Sequence, residues 1–158
     1  MKVITGNIWD YAASRAILIP TNGYVNKEGN AIMGAGLALQ ASKKFTELPK
    51  FLGTALSRGK INIPFHFGWM SSEDENIPYW ITSFPVKHNW RDKADLALIE
   101  DSAKQIVESF NYLYRTFSYA GEIYLPKVGC GNGKLDWCDV EPVLDKYFDE
   151  RFVVVDVA

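Results

Sequence analysis

The chain has 158 residues, of which 47% are hydrophobic and 23% charged, and its formal net charge is −2. These values are typical of one ordinary globular domain. They exclude a disordered chain, a fibrous repeat and a disulfide-framed miniprotein. We therefore predict a single domain over residues 1–158, whose net charge does not favour wholesale binding to nucleic acid.

The length of the apolar runs and the number of cysteines indicate the cellular compartment. No apolar run approaches the ~18 residues that a membrane-spanning helix needs, so no membrane partner is expected. The two cysteines, Cys130 and Cys138, are too few for a disulfide scaffold and suit a reducing compartment. We expect a cytoplasmic protein.

Aromatic residues make up 14% of the chain, which is the one unusual value in its composition. Two explanations stay open. The rings can fill the core, or some of them can flank a planar ligand such as a nucleobase, because the faces of aromatic rings stack well on bases.

The first part of the chain alternates short apolar runs with polar segments. Strands are predicted at Lys2–Thr5 and Arg15–Pro20. A polar, glycine-rich stretch, Thr21–Gly36, separates the second strand from a helix over Leu37–Phe45, in which apolar residues recur at every fourth position.

The middle of the chain predicts one more helix and two strands. The helix covers Pro49–Ser57, with proline in its first turn and Gly59 just beyond its end. The strands cover Ile61–Met70 and Tyr79–Phe84, and the charged segment Ser71–Pro78 between them predicts a surface loop.

The last part carries the longest helical pattern. A continuous apolar stripe predicts a helix over Ala94–Phe117, followed by a strand at Glu122–Pro126. A helix over Val140–Phe148 and a buried strand over Arg151–Val157 complete the pattern. Because strands and helices alternate, we predict an α/β fold with a central mixed sheet covered on both faces.

Two glycine-rich loops each follow a predicted strand and precede a helix. We call Met33–Gly36 the first glycine loop and Gly129–Lys134 the second glycine loop. Open α/β sheets bind ligands beyond the carboxyl ends of their strands, and backbone N–H groups at a helix start attract anions. A lone glycine loop more often only turns the chain. Two of them in one small domain favour a shared phosphate-containing ligand.

The sequence resembles the macro domain family, whose members bind ADP-ribose. The resemblance covers nearly the whole chain and rests on these segments: Gly6–Ile8, Ile17–Asn22, Met33–Ala38, Phe84–Lys87 with Trp90 and Arg91 after it, Leu125–Gly131 and Leu135–Trp137. It is most similar to the branch that contains the terminal ADP-ribose glycohydrolases and the antitoxin that removes ADP-ribose from DNA. The resemblance implies a three-layer α/β/α domain, and small members of the family are commonly monomeric.

The resemblance also implies the residues of an ADP-ribose site. Asn7 and Ile8 would meet the adenine, although many macro domains have an aspartate where Asn7 stands. Asn22 would lie beside the distal ribose. The pyrophosphate would lie between Met33, Gly34, Ala35, Gly36 and Leu37 on one side and Gly129, Cys130, Gly131, Asn132, Gly133, Lys134 and Leu135 on the other. No cofactor and no metal are expected, because His66, His88 and the two cysteines lack metal-ligand spacing.

Lys87 is the candidate catalytic residue, with Asn22 or Asp136 assisting it. A lysine near other cations can act as a nucleophile or base, and a charged lysine can stabilise a developing negative charge. The resemblance implies a lysine at this position facing the anomeric carbon. The alternative is that Lys87 and Arg91 are solvated surface charges or bind polynucleotide phosphate without catalysis.

The second glycine loop departs from the protein-directed glycohydrolases, which have an acid where this chain has Gly133. The nearest carboxylate is Asp136, which can orient a water or Lys87, or can cap the helix that starts near Asp139. Cys130 has no evident histidine partner, so we expect it to be a small packing residue rather than a nucleophile.

Four functions follow from these residues. The favoured one is an ADP-ribosyl hydrolase that removes ADP-ribose from an acceptor, with a nucleobase of DNA preferred. The alternatives are a phosphatase acting on ADP-ribose 1″-phosphate, a non-catalytic reader of ADP-ribose and, more distantly, a nucleic-acid-binding module without a nucleotide pocket. We expect the rim segments Lys87–Lys93 and Trp69–Tyr79 to set the acceptor.

Overall fold

The computed structural model describes residues 1–68, 77–119 and 121–157, and within them strands alternate with helices. The strands are β1 (Lys2–Thr5), β2 (Ala16–Asn22), β3 (His66–Phe67), β4 (Trp80–Lys87), β5 (Ile123–Leu125) and β6 (Phe152–Asp156). The helices are α1 (Gly36–Lys44), α2 (Leu48–Gly59), α3 (Leu96–Thr116) and α4 (Trp137–Asp145), and a short 3-10 helix spans Ile8–Tyr11.

The strands form one mixed sheet in the order β1-β6-β5-β2-β4-β3. Each neighbouring pair is parallel except β3 and β4, which are antiparallel. The prediction of an α/β fold with a mixed sheet is confirmed. Because the strands other than β3 are parallel, their carboxyl ends lie along one edge of the sheet.

Helices cover both faces of the sheet. Alternate residues of a strand point to opposite faces, so Ile17 and Ile19 of β2 pack in the cluster that contains residues of α1 and α2. Ala16 and Leu18 pack instead with residues of α3 and α4. The resulting three layers, α/β/α, confirm the predicted architecture.

Helix α3 forms because its apolar residues recur on one side. Ile99, Ile106 and Phe110 are fully buried against the sheet. Asp95 caps the amino end by accepting hydrogen bonds from the N–H groups of Ala97 (2.9 Å) and Leu98 (3.4 Å). Of the helices in the described residues, none, α3 included, combines the length and apolarity needed to cross a membrane.

The predicted end of β4 was wrong. The strand does not stop at Phe84 but continues through Pro85 to Lys87. Pro85 indicates the end of a strand, because proline has no N–H to donate to a sheet hydrogen bond and is tolerated in sheets only at edges and bulges. Here the pairing shifts register: Thr21 pairs with Pro85, and Asn22 pairs with Lys87. The bulge therefore brings Lys87 beside Asn22.

Other boundaries also differ from the predictions. Helix α4 begins at Trp137 rather than Val140, and α2 includes Gly59, so that Lys60 takes the left-handed capping position with φ 50°. The strand predicted over Ile61–Met70 is formed only at His66–Phe67, and its last two residues lie outside the described ones. Most of the predicted Ser71–Pro78 loop also lies outside them.

Candidate functional site

Four segments meet at the edge of the sheet where the parallel strands end. They are Gly6–Ile8 after β1, the first glycine loop after β2, Lys87 at the end of β4 and the second glycine loop after β5. The Gly6 N–H donates to the Asp156 carbonyl at the end of β6 (2.9 Å). The topology thus places the candidate residues at one edge, as expected for a ligand crevice in an open α/β sheet.

The candidate adenine residues lie at the start of the 3-10 helix. The Asn7 side-chain oxygen accepts from the Trp9 N–H (3.1 Å), and Ile8 is buried. The indole N–H of Trp9 donates to Gln40 on α1 (2.8 Å). This bond joins the turn after β1 to the helix that follows the first glycine loop. This single-turn helix was not predicted, because four residues are too short to show a periodic pattern.

The first glycine loop leads into α1 with open space around its glycines. A Cβ at Gly36, where φ is +56°, would meet nothing within 4 Å, and one at Gly34 would meet only the Ile32 side chain at 4.0 Å. Ala35 holds the N-cap position and has no side-chain oxygen to cap the first-turn N–H groups. Such uncapped N–H groups bind anions. Within the same segment Met33 is buried and Leu37 is half-buried.

The second glycine loop is a tight turn held by its own backbone. The Lys134 N–H donates to the Gly131 carbonyl (3.0 Å), and the Leu135 N–H donates to the Gly129 carbonyl (2.9 Å). A Cβ at Gly133 would lie 2.4 Å from the Gly129 carbonyl oxygen, so this position admits glycine alone. A Cβ at Gly131 would meet nothing within 4 Å, which leaves this exposed side of the loop open to a ligand.

Cys130 occupies a packing position within the second glycine loop. Its thiol is half-buried and lies 3.4 Å from the Val128 carbonyl, to which it donates. Burial raises the pKa of the Cys130 thiol, which disfavours the nucleophilic thiolate. This environment agrees with the packing role predicted for Cys130.

Lys87 lies where three of these segments meet. It is paired with Asn22 of β2, and its Nζ donates to the Asn132 carbonyl of the second glycine loop (3.3 Å). Asn22 in turn donates from Nδ2 to the Ile32 carbonyl (3.0 Å), just before the first glycine loop. The structure therefore brings the candidate residues Lys87 and Asn22 together, and connects each of them to one loop.

Asp136 is placed at the rim of the site. It holds the N-cap position of α4, as one of the alternatives predicted, but its exposed side chain makes no capping hydrogen bond. No ion pair or hydrogen bond joins Asp136 to Lys87 in the described part of the chain. Within residues 1–68, 77–119 and 121–157, no group of three or more His, Cys, Asp or Glu side chains could hold a metal ion.

Two contacts next to Lys87 were not predicted from the sequence. Asn62 donates from Nδ2 to the Lys87 carbonyl (2.8 Å), and a Cβ at Gly23 would contact the Asn62 amide at 2.9 Å. His88 Nε2 lies 3.0 Å from Asp95 Oδ2, and this hydrogen bond lowers the pKa of the Asp95 carboxyl. Asn62 lies in a segment predicted as strand, where nothing in the pattern indicated a contact with Lys87.

A separate cavity of about 470 Å³ lies at the amino ends of β2 and β5. Its lining includes Arg15, Tyr79, Tyr119 and Glu122 and none of the candidate ADP-ribose residues. Tyr79, the last residue of the predicted rim segment Trp69–Tyr79, therefore lies away from the site, and most of that segment lies outside the described residues. It is therefore distinct from the loops at the opposite edge of the sheet.

Comparison with known proteins points to one group. No protein-family profile matches the chain. DNA ADP-ribosyl glycohydrolases of Mycobacterium tuberculosis and Thermus aquaticus are each 31% identical to it, over 119 and 141 residues that cover 75% and 89% of this chain. The aligned region makes up 32% and 36% of those relatives, so the chain spans about a third of their length.

Solved structures give the same picture. The macrodomain of M. tuberculosis DarG is 26% identical, with a TM-score of 0.75 over 99% of this chain and 95% of that one. Thermosipho africanus DarTG in complex with ADP-ribose is 22% identical, with a TM-score of 0.78 over 99% of this chain and 41% of that one.

Proposed function

This chain is a macrodomain, and on that premise we propose that it is a hydrolase that releases ADP-ribose from a modified nucleobase of DNA. The similar glycohydrolases of M. tuberculosis and T. aquaticus and the DarG macrodomain fold support the proposal. The observation that carries it is the position of Lys87, held between Asn22 and the second glycine loop.

The proposed ligand position follows from the open sides of the two glycine loops. The pyrophosphate lies between the first-turn N–H groups of α1 and the second glycine loop, where a Cβ at Gly36 or Gly131 would meet nothing. The adenine lies towards Asn7 and Ile8. The distal ribose then lies beside Asn22, with its anomeric carbon towards Lys87.

In this arrangement Lys87 acts at the bond that is broken. Hydrolysis breaks the bond between the anomeric carbon and the base nitrogen, which leaves with the electron pair and takes a proton, while water supplies the new hydroxyl on the sugar. In one route Lys87 Nζ attacks the anomeric carbon and displaces the base, and water then breaks the Nζ–carbon bond to release ADP-ribose and the free amine. In the other route the Lys87 ammonium stabilises the negative charge that develops on the departing base while water attacks the anomeric carbon. Asn22 positions the ribose.

The DNA acceptor is favoured by the loop around Gly133. Protein-directed members of this branch resemble the chain but have an acid at that position, and here a side chain would collide with the Gly129 carbonyl at 2.4 Å. Asp136, the nearest carboxylate in the sequence, is exposed and not paired with Lys87. The second glycine loop thus lacks the acid that would complete a lysine-plus-acid pair for a protein ester, and this favours a nucleobase as the acceptor.

The Lys87→Ala variant tests the mechanism. We expect turnover of an oligonucleotide carrying ADP-ribose on a base to fall by roughly 100-fold or more, which is the usual effect of removing one such group. Affinity for free ADP-ribose, measured by calorimetry, is expected to stay within about threefold. Lys146→Ala is the matched control, because Lys146 pairs with Glu100 away from the loops (3.3 Å).

Product analysis distinguishes the alternatives. Release of inorganic phosphate from ADP-ribose 1″-phosphate would favour the phosphatase, and saturable ADP-ribose binding without product from any acceptor would favour a reader. Undiminished turnover by Lys87→Ala would contradict the assigned mechanism.

A further inference from the structure

An exposed tryptophan projects from the segment that follows Lys87. Trp90 is 45% exposed, and the guanidinium of Arg91 lies over its ring at 4.9 Å from the centroid. Neither side chain belongs to either core cluster. A single exposed aromatic residue is ordinary on a protein surface, so its significance depends on where it is held.

The backbone of residues 88–94 is fixed at both ends against the site. The Gly23 N–H donates to the His88 carbonyl (3.2 Å), and the Ala94 N–H donates to the Gly133 carbonyl of the second glycine loop (3.0 Å). Between these ties, the Asn89 side chain accepts from the Arg91 N–H (3.1 Å) and closes a turn. Trp90 is thus presented on a braced turn beside the second glycine loop.

The turn presents two cations and one carboxylate to the solvent. Arg91 and Lys93 are exposed, and Asp92 is exposed between them. The other carboxylate, Asp95, is engaged with His88 and the α3 amino end. Lys134 of the adjacent loop adds a further exposed cation. With a net charge of −2 over the whole chain, binding of a polyanion depends on a local group of this kind.

We propose that Trp90 and Arg91 form a contact site for single-stranded DNA next to the modified nucleotide. The inference rests on the proposed function, because it needs the acceptor to leave the site past Lys87. A base that flanks the modified one stacks on the Trp90 ring, and Arg91 contacts a phosphate. Stacking on an aromatic ring tolerates any base, so this site recognises a DNA strand without reading its sequence.

The experiment compares two substrates that differ only in the flanking strand. One is a single-stranded oligonucleotide with ADP-ribose on an internal thymine or guanine base, and the other is the corresponding ADP-ribosylated nucleoside. We expect Trp90→Ala to lower kcat/KM about 10- to 100-fold on the oligonucleotide and to leave the nucleoside within about threefold. Trp90→Phe, which keeps a ring, restores most of the loss.

Two further variants sharpen the result. Arg91→Ala removes one phosphate contact and is expected to reduce the slope of log(kcat/KM) against log salt concentration by about 0.7. Tyr112→Ala is the matched control, because Tyr112 is 53% exposed on α3 and lies outside the braced turn. It is expected to change neither substrate.

The DNA contact site and the proposed hydrolase activity fail in different, distinguishable outcomes. If the wild-type protein hydrolyses both substrates and Trp90→Ala changes kcat/KM equally on both, the DNA contact site is wrong while the proposed hydrolase activity is confirmed. Equal loss on an ADP-ribosylated peptide would also overturn it. If no acceptor is hydrolysed, the proposed function fails, and binding of the labelled ADP-ribosylated oligonucleotide is measured instead by fluorescence anisotropy. The DNA contact site is supported if Trp90→Ala weakens this binding about tenfold without changing the affinity for free ADP-ribose. Any other result overturns it.

Discussion

Gly131 and Gly133 are two residues apart in the second glycine loop, yet they have opposite surroundings. A Cβ at Gly131 points into open space, whereas one at Gly133 would overlap the Gly129 carbonyl oxygen at 2.4 Å. From the sequence alone both glycines were assigned the same ligand-binding role. The distinction depends on how the loop folds back on itself, which no local pattern of residue types encodes.

Alanine substitutions separate these two roles. Gly133→Ala is expected to destabilise the protein by roughly 1–3 kcal/mol, because the loop must open to accept the methyl group. Gly131→Ala is expected to leave the free energy of unfolding within about 0.5 kcal/mol, but to weaken ADP-ribose binding if the ligand approaches that backbone. Urea unfolding and calorimetric titration measure the two effects. Equal stability of the two variants would contradict the loop geometry.

At the level of elements, long periodic segments were predictable and irregular ones were not. The apolar stripe of α3 and the alternation of strands and helices were sufficient to predict the α/β class. The end of β4 was missed because Pro85 is accommodated by a bulge opposite Thr21, a feature of strand pairing rather than of the local sequence. That bulge is what places Lys87 beside Asn22, so the sequence predicted both residues but not their pairing.

His66 connects three elements and makes stability depend on pH. Its ring nitrogens lie 2.7 Å from the Thr82 hydroxyl on β4 and 2.9 Å from the Ser109 hydroxyl on α3. Burial lowers the pKa of His66 to about 4 from its ordinary value of 6.5. Between pH 6.5 and 4 the His66 ring binds a proton in the unfolded chain but not in the folded one. The free energy of unfolding therefore decreases as the pH falls from about 6.5 to about 4.

The size of this effect can be measured with a variant that cannot titrate. The shift in the pKa of His66 corresponds to about 3 kcal/mol of the free energy of unfolding. We expect His66→Gln to flatten the dependence of unfolding free energy on pH between about 6.5 and 4, whatever its effect at neutral pH. His88→Gln measures separately the contribution of the exposed His88–Asp95 pair, whose hydrogen bond lowers the pKa of Asp95. Identical pH profiles for His66→Gln and the wild type would contradict the buried neutral state of His66.

For the whole molecule, the edge of the sheet that carries the site was predictable, because parallel strands bring their carboxyl ends together. The two glycine loops meet there as expected. The contribution of Asn62 beneath Lys87 was not predictable, since it joins residues 25 positions apart through one side-chain amide. The position of the braced turn around Trp90 was likewise not predictable, because it is set by main-chain hydrogen bonds to Gly23 and Gly133.

Ligand binding is expected to stabilise the whole domain. At an ADP-ribose concentration about 100 times its Kd, binding adds about 2.7 kcal/mol to the free energy of unfolding. For a chain of this size we expect Tm to rise by about 5–10 °C. AMP and NAD at the same concentration are expected to give smaller shifts, and Lys87→Ala is expected to keep the ADP-ribose shift. Thermal unfolding without any shift would contradict the two-loop pyrophosphate site.

Three of the hydrogen bonds that hold the site together are between main-chain atoms. Gly6 is bonded to Asp156, Gly23 to His88 and Ala94 to Gly133, in each case from an N–H to a carbonyl. Such bonds do not depend on the identity of the side chains at these positions. We therefore expect substitutions of exposed side chains such as Arg91 and Lys93 to alter contacts with an acceptor without loosening these three bonds.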